Sequence, residues 1–528
     1  MLDILIQNGL LVDGSGAPGR LADVAVQGGR IVGIGRFDDA QARTTIQAPG
    51  CIVTPGFVDM HSHADFTLPV CPTADSLVRQ GITTAVIGQC GLSPAPLFDE
   101  SREQVIDMID MEDIPIPWEK WSTLGSYLEY LTQIGASLNV APLVGHGMVR
   151  AGVMGFGADP PSAEQMSNMQ AEVIKAMESG AIGVSTGLIY PPGSYASTAE
   201  LVAFTRPAAE RGGIYYSHIR GEGATLLQAV AEAIHIGRET GAAVQISHFK
   251  AAGRDNWHKA AQALDLIDQA RAEGLDVTAD VYPYLAGSTS LVSVLPQWAQ
   301  EGTKDAILQR LADAQKRHNM VADMLTADFL RITTWDTVLI SSSPKNREYE
   351  GRNVAEQAVE ADKSPHDWVF DALIETELDM GMVIFEMSED NRKLALRHAA
   401  MMIGTDAVGL TTEGPLSQGV PHPRNYGTYP RVLGHYVREQ GVISLEEAVY
   451  KMSGFPAQKL RWTDRGLLKE GYWADLVILN PDTVADRATY QAPHQYPEGI
   501  LHVIVNGKLV VHNDDHTQAR PGSVLRRR

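Results

Sequence analysis

Strand-like and helix-like segments alternate regularly from about residue 52 onward, and this pattern leaves few folds open to the chain. A strand over 213–218 is followed by a predicted helix over about 225–240, whose apolar residues recur every four positions, and then by a strand over 244–248. A second helix over about 258–273 leads into a strand over 275–281. Such units imply parallel strands, and over about 400 residues they predict an α/β barrel of eight parallel strands with insertions. A doubly wound sheet is the alternative, but no glycine-rich nucleotide-binding turn opens the first unit.

Both ends of the chain differ from this middle part, because short strand-like segments there are separated by glycine-rich turns. Near the C-terminal end two strands flank Asn506-Gly507, a pair typical of a type I′ hairpin. A charged stretch over about 297–330 is predicted to be helical and to form an inserted subdomain. The predicted terminal strands lie over 3–7, 10–12, 23–27, 30–34, 474–479, 501–505 and 508–511.

Composition excludes several classes of protein. The chain has 528 residues, 44% of them apolar, so it can bury a large core, and it contains no apolar run of about 18 residues that would predict a membrane span. A formal net charge of −21 disfavours nucleic acid and anionic membranes as partners. The three cysteines, Cys51, Cys71 and Cys90, are too few for a disulfide framework, and the N-terminus lacks a signal-peptide pattern. We therefore expect a cytoplasmic protein.

An apolar run from Cys51 ends in His61-Ser-His63. Residues two apart in a strand point to the same side, so this run delivers two imidazoles to one place. Two neutral imidazoles that converge can bind a divalent metal ion. A chance pair of surface histidines is the alternative, since the chain has 16 histidines.

Four more strands end in a cysteine, two histidines and an aspartate. The carboxyl ends of barrel strands gather on one face, where the active site of such a fold lies. Taken singly, each residue has an ordinary explanation as a buried thiol, a core histidine or a turn aspartate. Their shared position at strand ends predicts a metal site instead. The six predicted ligands are His61, His63, Cys90, His218, His248 and Asp406.

Such a site suits metal-assisted hydrolysis. A zinc ion with nitrogen, sulfur and oxygen ligands lowers the pKa of bound water to about 7. A neighbouring carboxylate can take the proton of that water and pass it to a leaving nitrogen, and Asp406 is the candidate for this role.

One motif suggests a different chemistry. The segment Gly183-Val-Ser185-Thr-Gly187 matches the G-x-S-x-G pattern of serine hydrolases, in which a helix starts directly after the serine. Here Pro191-Pro192-Gly193 follows too soon for a helix to form. We therefore expect no serine nucleophile.

Ten segments spread over nearly the whole chain, several of them described above, together resemble the N-acyl-D-amino-acid deacylases (D-aminoacylases) of the amidohydrolase superfamily. The pattern Pro-Gly-x-x-Asp-x-His-x-His alone would indicate only the superfamily, whereas the full set of segments is specific. The segments that carry the resemblance are 54–63, 88–93, 143–147, 185–193, 217–222, 246–250, 280–284, 404–406, 422–434 and 474–477.

The resemblance implies a distorted (β/α)8 TIM-type barrel and a small β-sandwich formed by both chain termini. The sandwich would span 1–54 and 465–528, and the barrel 55–464. By resemblance, Cys90, His218 and His248 hold one tight zinc ion, while His61, His63 and Asp406 line a second, weaker metal position. No lysine ends the strand over 181–190, which fits the branch that uses cysteine and weighs against hydantoinase or dihydroorotase activity.

The substrate of this family, an N-acyl amino acid, carries an α-carboxylate that requires cationic and hydroxyl donors. Lys250 lies two residues after His248, and Arg424 matches a family arginine that binds the carboxylate. Tyr282 and Ser288 add hydroxyl groups. Tyr190 is the candidate that polarises the amide carbonyl. These residues are predicted to bind a small-molecule substrate.

The side chain of the substrate is predicted to be neutral and hydrophobic, because the segment 284–298 contains no lysine or arginine that could bind a second carboxylate. The loop 407–421, between Asp406 and His422, looks longer than is usual in the family and bears on this preference. Related activities on a cyclic amide, a D-residue-containing dipeptide or a natural product are alternatives, as is a non-catalytic scaffold. The D-configuration rests on the resemblance alone, and the sequence leaves the acyl preference, the number of metals used and the oligomeric state open.

Overall fold

The computed structural model describes residues 1–109, 111, 114–326 and 334–527. In this part of the chain eight parallel strands form one sheet, and each strand pairs with the next one along the sequence. In chain order, the first to the eighth barrel strand are Phe57–Asp59, Ile82–Ile87, Asn139–Gly145, Gly183–Gly187, Ile214–His218, Ala243–Ile246, Val277–Val281 and Met401–Ile403.

The sheet closes beyond the ends of its first and eighth strands. The amide of Met60 donates to the carbonyl of Ile403 at 3.4 Å, and Ser62 forms a parallel bridge with Ala407. The amide of Asp406 donates to the carbonyl of His61 at 2.7 Å. The predicted barrel is thereby confirmed, and closure occurs at the end where the predicted ligands lie.

Helices cover the outside of the barrel, as predicted from their four-residue apolar repeat. The helix predicted over about 225–240 spans Leu226–Thr240, and its residues Val230 and Ile236 are fully buried. The α-helices are Asp75–Val78, Arg102–Ile109, Leu124–Ile134, His146–Met154, Ala163–Glu178, Thr198–Glu210, Leu226–Thr240, Lys259–Ala272, Lys304–Ala312, Ala314–Met324, Val354–Glu360, Pro365–Glu375, Glu389–Arg397, Arg424–Arg431, Leu445–Val449 and Phe455–Lys459. Two π-helical segments are Val432–Glu439 and Tyr450–Gly454, and the short 3-10 turns are Trp118–Lys120, Gly193–Tyr195, Arg254–Asn256, Leu291–Val294, Gln297–Gln300, Trp335–Thr337 and Arg347–Tyr349.

A separate sheet combines strands from both ends of the chain. Strand Ile52–Pro55 pairs in parallel with Leu2–Leu11 and antiparallel with Leu476–Leu479, and so joins the two halves. Asn506 and Gly507 both have positive φ, as the predicted type I′ hairpin requires. The strands of this sheet are Leu2–Leu11, Arg20–Gln27, Arg30–Gly35, Ala42–Gln47, Ile52–Pro55, Leu476–Leu479, Ile500–Val505, Lys508–His512 and Asp515–His516.

An insertion separates the seventh and eighth barrel strands. It contains helices in the region predicted as helical, of which residues 327–330 lie outside the described part. It also contains a small antiparallel sheet, whose central strand Gly381–Phe385 pairs with Ala286–Ser290 and Val338–Ser342. Strand Ala286–Ser290 is rich in glycine, serine and threonine, so it lacks the apolar alternation that predicts a strand. Among the helices of the described residues, none combines the length and the apolar character that a bilayer crossing requires.

Candidate metal centre and active site

All six predicted ligands lie at the carboxyl end of the barrel and form two groups that share Cys90. Within each group the donor atoms lie no more than 4.8 Å apart. Five of the six side chains are buried, and His63 is half-buried. The first group is Cys90, His218 and His248, and the second is His61, His63, Cys90 and Asp406.

The first group joins the ends of the second, fifth and sixth strands. The Nε2 atom of His248 lies 2.9 Å from Nδ1 of His218 and 3.6 Å from Sγ of Cys90. Burial alone would raise the pKa of the Cys90 thiol, but the neighbouring histidines, His61 first, hold it well below its usual value. The neighbouring histidines therefore favour the thiolate of Cys90, which is the form that binds a metal ion.

The second group joins the ends of the first, second and eighth strands. The Nε2 atoms of His61 and His63 each lie 3.4 Å from Oδ1 of Asp406, and Nε2 of His61 lies 3.3 Å from Sγ of Cys90. Burial opposes ionisation of Asp406, yet the charges of Arg424 and His61 hold the pKa of this carboxyl well below its usual value. The carboxylate is thus available as a ligand or as a base.

The donor set fits zinc. Thiolate, imidazole and carboxylate are the ligands that zinc takes in proteins, and tetrahedral bonding places sulfur and nitrogen donors about 3.6 Å apart and two nitrogens about 3.3 Å apart. The sulfur–nitrogen separation of 3.6 Å in the first group agrees with this geometry, and the nitrogen–nitrogen separation of 2.9 Å is somewhat shorter. The second group offers an oxygen and two imidazoles next to the same sulfur, so the arrangement can hold a second ion.

Three of the predicted ligands adopt left-handed backbone conformations. The φ angles are 54° at Cys90, 35° at His248 and 52° at Asp406. Residues other than glycine rarely adopt such angles, and each costs about 1 to 3 kcal/mol, which the surrounding structure must offset. In each case the backbone turns sharply after a strand and directs the side chain across the barrel mouth.

Ser185, the residue of the G-x-S-x-G motif, supports the Cys90 turn. Its hydroxyl donates to the carbonyl of Gly88 and accepts from the amide of Gly91 at 3.1 Å. A Cβ on Gly187 would lie 2.0 Å from the carbonyl oxygen of Cys90. The glycine and the serine of this motif are thus explained by close packing of strand ends, in agreement with the expectation that no serine nucleophile is present.

Glu222 connects the first group to Lys250. One carboxylate oxygen of Glu222 lies 2.9 Å from Nδ1 of His248 and 2.5 Å from Nζ of Lys250. Burial acts against the carboxylate, but the charge of Lys250, followed by that of His248, lowers the pKa of Glu222. A carboxylate that receives the second ring N–H of a ligating histidine fixes its tautomer and orientation. Glu222 was not predicted from the sequence, although it lies only four residues after His218.

Asp280, in the seventh strand, holds two ligands in place. Its Oδ1 accepts from the backbone amide of His248 at 2.7 Å and lies 3.4 Å from Nδ1 of His61. Its Oδ2 accepts from Gln245 at 2.9 Å. The motif 280–284 contributed to the family resemblance, but its aspartate had no predicted role.

The predicted substrate-binding residues lie beside the metal-ligand groups. Arg424 donates to Asp406 at 2.6 Å and to the carbonyl of Ser288 at 3.3 Å, and its guanidinium lies 5.0 Å from the ring centre of Tyr282. The hydroxyl of Tyr282 is buried without a hydrogen-bond partner among the described residues. Lys250 is paired with Glu222. The structure therefore brings all four residues together, with Ser288 contributing its carbonyl.

Tyr190 follows the fourth strand and borders the same group of residues. Its ring packs edge-on against His218 with centroids 5.1 Å apart, and its hydroxyl lies 2.9 Å from Oγ1 of Thr289 in the insertion.

The loop 407–421 also contacts the insertion. The amide of Val420 donates to the carbonyl of Ser341 at 2.7 Å, and Leu410 and Leu416 in this loop are buried.

A barrel of eight parallel strands with thiolate, imidazole and carboxylate donors at its carboxyl end defines a metal-dependent hydrolase of the amidohydrolase class. The model of the Amidohydrolase family matches residues 44–511, and the chain belongs to this family.

Three similar proteins extend this result. The chain is 38% identical over 530 residues to N-acyl-D-glutamate deacylase of Alcaligenes xylosoxydans xylosoxydans, covering 100% of this chain and 97% of that protein. It is 37% identical over 526 residues to D-aminoacylase of the same organism, covering 99% of this chain and 98% of that protein. Its structure is similar to a crystal structure of N-acyl-D-glutamate deacylase from Bordetella bronchiseptica complexed with zinc and a phosphonate inhibitor that mimics the tetrahedral intermediate. The TM-score is 0.84, and the two chains are 35% identical, with 100% of each chain covered.

Proposed function

We propose that this protein is a zinc-dependent hydrolase that cleaves the amide bond of N-acyl-D-amino acids to a carboxylate and a free D-amino acid. The observation that carries this conclusion is full-length similarity to D-aminoacylase and N-acyl-D-glutamate deacylase. The cluster of buried donors at the barrel mouth supports it, because this chemistry requires a metal site.

In this proposal Cys90, His218 and His248 hold the tight zinc ion, and His61, His63 and Asp406 line the weaker second position. Zinc, when bound, polarises a carbonyl oxygen and lowers the pKa of a coordinated water. Glu222 and Asp280 orient the histidines through hydrogen bonds and close contacts, so that the donor atoms are in place before the substrate arrives.

Asp406 is the proposed base. It takes the proton of the attacking water and passes it to the leaving nitrogen, which is the exchange that amide hydrolysis requires. Its carboxylate lies between the two histidines of the first strand and the guanidinium of Arg424. Tyr190, on the far side of His218, is the proposed hydrogen-bond donor to the amide carbonyl.

The α-carboxylate of the substrate is proposed to bind among Arg424, Tyr282, Ser288 and Lys250. The unpartnered hydroxyl of Tyr282 supports this location, because a buried hydroxyl without a partner is costly unless a ligand satisfies it. Arg424 contacts both Asp406 and the Ser288 carbonyl, so it can orient the carboxylate end of a substrate relative to the base.

A neutral side chain on the substrate is also part of the proposal. Glu386 follows the central strand of the insertion, and its carboxylate oxygen lies 3.2 Å from the position of a Cβ on Gly287, next to Ser288. Burial, and then the charge of Glu222, raises the pKa of Glu386 to about 7. Glu386 is an acidic group rather than a cation, and Glu222 acts on it, so among the described residues the region offers a second substrate carboxylate no positive partner of its own, which disfavours D-glutamate and D-aspartate substrates.

Two further assignments stay proposals. We infer that the chain has two domains, a β-sandwich made of residues 1–54 and 465–528 and a barrel made of residues 55–464. The pairing of strand Leu476–Leu479 with strand Ile52–Pro55, which joins the two chain ends just before the barrel begins, supports these bounds. We also infer a cytoplasmic location, which the three free cysteines support.

The test of the function is a substrate panel with the zinc-loaded enzyme. We expect hydrolysis of N-acetyl-D-methionine, little or none of N-acetyl-L-methionine, and lower kcat/KM for N-acetyl-D-glutamate than for N-acetyl-D-leucine. Preferred cleavage of a hydantoin or of a D-residue-containing dipeptide would contradict the proposal, and a preference for the acidic substrate would contradict the side-chain assignment alone.

Asp406→Asn tests the proposed base. Loss of a general base costs about 10²- to 10⁴-fold in rate, so we expect kcat on N-acetyl-D-methionine to fall by at least about 100-fold while zinc measured by elemental analysis stays bound. Asp486→Asn is the matched control, since Asp486 pairs with Arg431 at 3.2 Å outside the ligand groups. Retained activity in Asp406→Asn would exclude Asp406 as the base.

A further inference from the structure

Three cationic side chains surround the ring of Tyr282. The distances to its ring centre are 5.0 Å for the guanidinium of Arg424, 5.3 Å for that of Arg392 and 6.0 Å for Nζ of Lys250. All three cations are buried, and Arg392 is only 3% exposed. Arg392 belongs to the helix Glu389–Arg397, which lies between the small antiparallel sheet of the insertion and the eighth barrel strand, and nothing in its sequence context predicted a role.

Two of these cations have a carboxylate partner and the third has none in the described part of the chain. Lys250 pairs with Glu222 at 2.5 Å, and Arg424 pairs with Asp406 at 2.6 Å. The side chain of Arg392 donates to the thioether sulfur of Met387 at 2.8 Å, which is a weak acceptor, and its Nε is buried without a partner.

A buried guanidinium that is not paired with an anion is unfavourable, because burial removes its hydration and the Met387 sulfur and the Tyr282 ring replace it only in part. Consistent with this, burial lowers the pKa of Arg392 below its usual value. The hydroxyl of Tyr282, on the ring that Arg392 faces, also lacks a partner among the described residues. Two unsatisfied donors at one ring indicate an anionic group that the chain does not supply.

We propose that Arg392 is a positioning residue for the substrate α-carboxylate. Arg392 provides the unbalanced positive charge of the pocket and acts on the carboxylate across the Tyr282 ring. This inference rests on the proposed function, whose substrates carry that carboxylate. Arg424 and Lys250 are largely balanced by their own acidic partners, so an incoming anion balances Arg392. The carboxylate thus gains electrostatic stabilisation in a buried site, where charges interact more strongly than in water.

The test compares Arg392→Met with the wild type on two substrates, N-acetyl-D-methionine and its uncharged analogue N-acetyl-D-methioninamide, by release of the free α-amine. Two opposite unit charges on either side of a buried ring, about 8 Å apart, correspond to roughly 10- to 100-fold in affinity. We expect KM for the carboxylate substrate to rise by about this factor with kcat within roughly threefold, and the parameters for the amide to change little. Arg392→Lys should restore most of the KM, since it keeps the charge.

Arg431→Met is the matched control. Arg431 stacks on the neighbouring Tyr284 at 5.0 Å but has an acidic partner, Asp486, so its loss should not change the preference for carboxylate over amide. An equal loss on both substrates in Arg392→Met, or an unchanged KM for the carboxylate, would overturn the inference. A wild-type enzyme that does not hydrolyse N-acetyl-D-methionine would instead refute the proposed function, so the two failures are distinguishable.

Discussion

Single side chains in this site serve several partners at once, and Glu222 is the clearest case. It holds Lys250 and contacts Nδ1 of His248, and its other oxygen lies 4.0 Å from Nε2 of His218. Loss of its charge would leave Lys250 buried without a partner and free both rings to reorient. Glu222 therefore links the metal ligands to the proposed substrate pocket.

Glu222→Gln should weaken zinc binding. Removing a carboxylate that orients ligating histidines typically costs about 10- to 100-fold in metal affinity, and we expect a loss in this range by competition with a chelator. Glu239→Gln, at the end of the helix Leu226–Thr240, is a control that should leave zinc affinity unchanged. Unchanged affinity in Glu222→Gln would show that the histidines are held without it.

The sequence placed some site residues better than others. His61, His63 and Cys90 follow apolar strands directly, so the fold class alone indicates where their side chains go. Glu222 lies in a loop and Arg392 in a helix after the small antiparallel sheet of the insertion, and their importance arises from tertiary contacts with Lys250 and Tyr282. No periodicity or spacing in the sequence encodes such contacts.

Strands at the barrel mouth approach one another closely, and glycine makes this possible. The end of the fourth strand touches the Cys90 turn, where the space at Gly187 has no room for a side chain. The same packing lets Ser185 hydrogen-bond to both sides of Cys90. The geometry of one ligand thus depends on two neighbouring strands.

Gly187→Ala should destabilise the protein and its metal site together. A Cβ 2.0 Å from the Cys90 carbonyl must displace backbone, and overpacking of this kind costs about 1 to 3 kcal/mol. We expect a lower unfolding midpoint and a reduced zinc content. Gly35→Ala, where a Cβ would meet nothing within 4 Å, is the control. Wild-type stability in Gly187→Ala would mean that the turn can shift freely.

Secondary structure was predictable where hydrophobic periodicity was strong. The helix Leu226–Thr240 and the hairpin around Asn506-Gly507 agree with their predictions, because an apolar stripe and a turn signal are local properties. The strand Ala286–Ser290 carried no such signal and is fixed by its pairing with Gly381–Phe385. That strand carries Ser288, which the family resemblance predicted, and Thr289, which contacts Tyr190 and which no local pattern predicted.

The whole molecule carries a net charge of −21, yet the proposed substrate-binding region concentrates buried cations. Diffuse negative charge on the surface and a local positive pocket are compatible, because surface charges are screened within about 10 Å at moderate ionic strength, while buried ones are screened less. In the proposed site, selection for an anionic ligand therefore depends on Arg392, Arg424 and Lys250.

Removal of zinc should abolish activity and lower thermal stability. A ligand present at about 100 times its Kd raises the free energy of unfolding by about 2.7 kcal/mol. Removal of zinc would also leave the buried histidines and Cys90 without a common partner. We expect chelation to lower the unfolding midpoint measured by calorimetry, and added zinc to restore it together with activity. Full activity after zinc has fallen below a tenth of an equivalent would contradict a zinc-dependent mechanism.

Barrel closure at the site has a consequence for synthesis on the ribosome. Ser62 and Ala407, which meet where the sheet closes, are separated by 345 positions in the chain. At a translation rate of about 5 to 20 residues per second, Asp406 is synthesised roughly 20 to 70 seconds after His61 and His63. The proposed second metal position, which includes Asp406, consequently cannot be completed on a nascent chain before nearly the whole barrel has been made, and we expect a protein interrupted before the eighth strand to lack it.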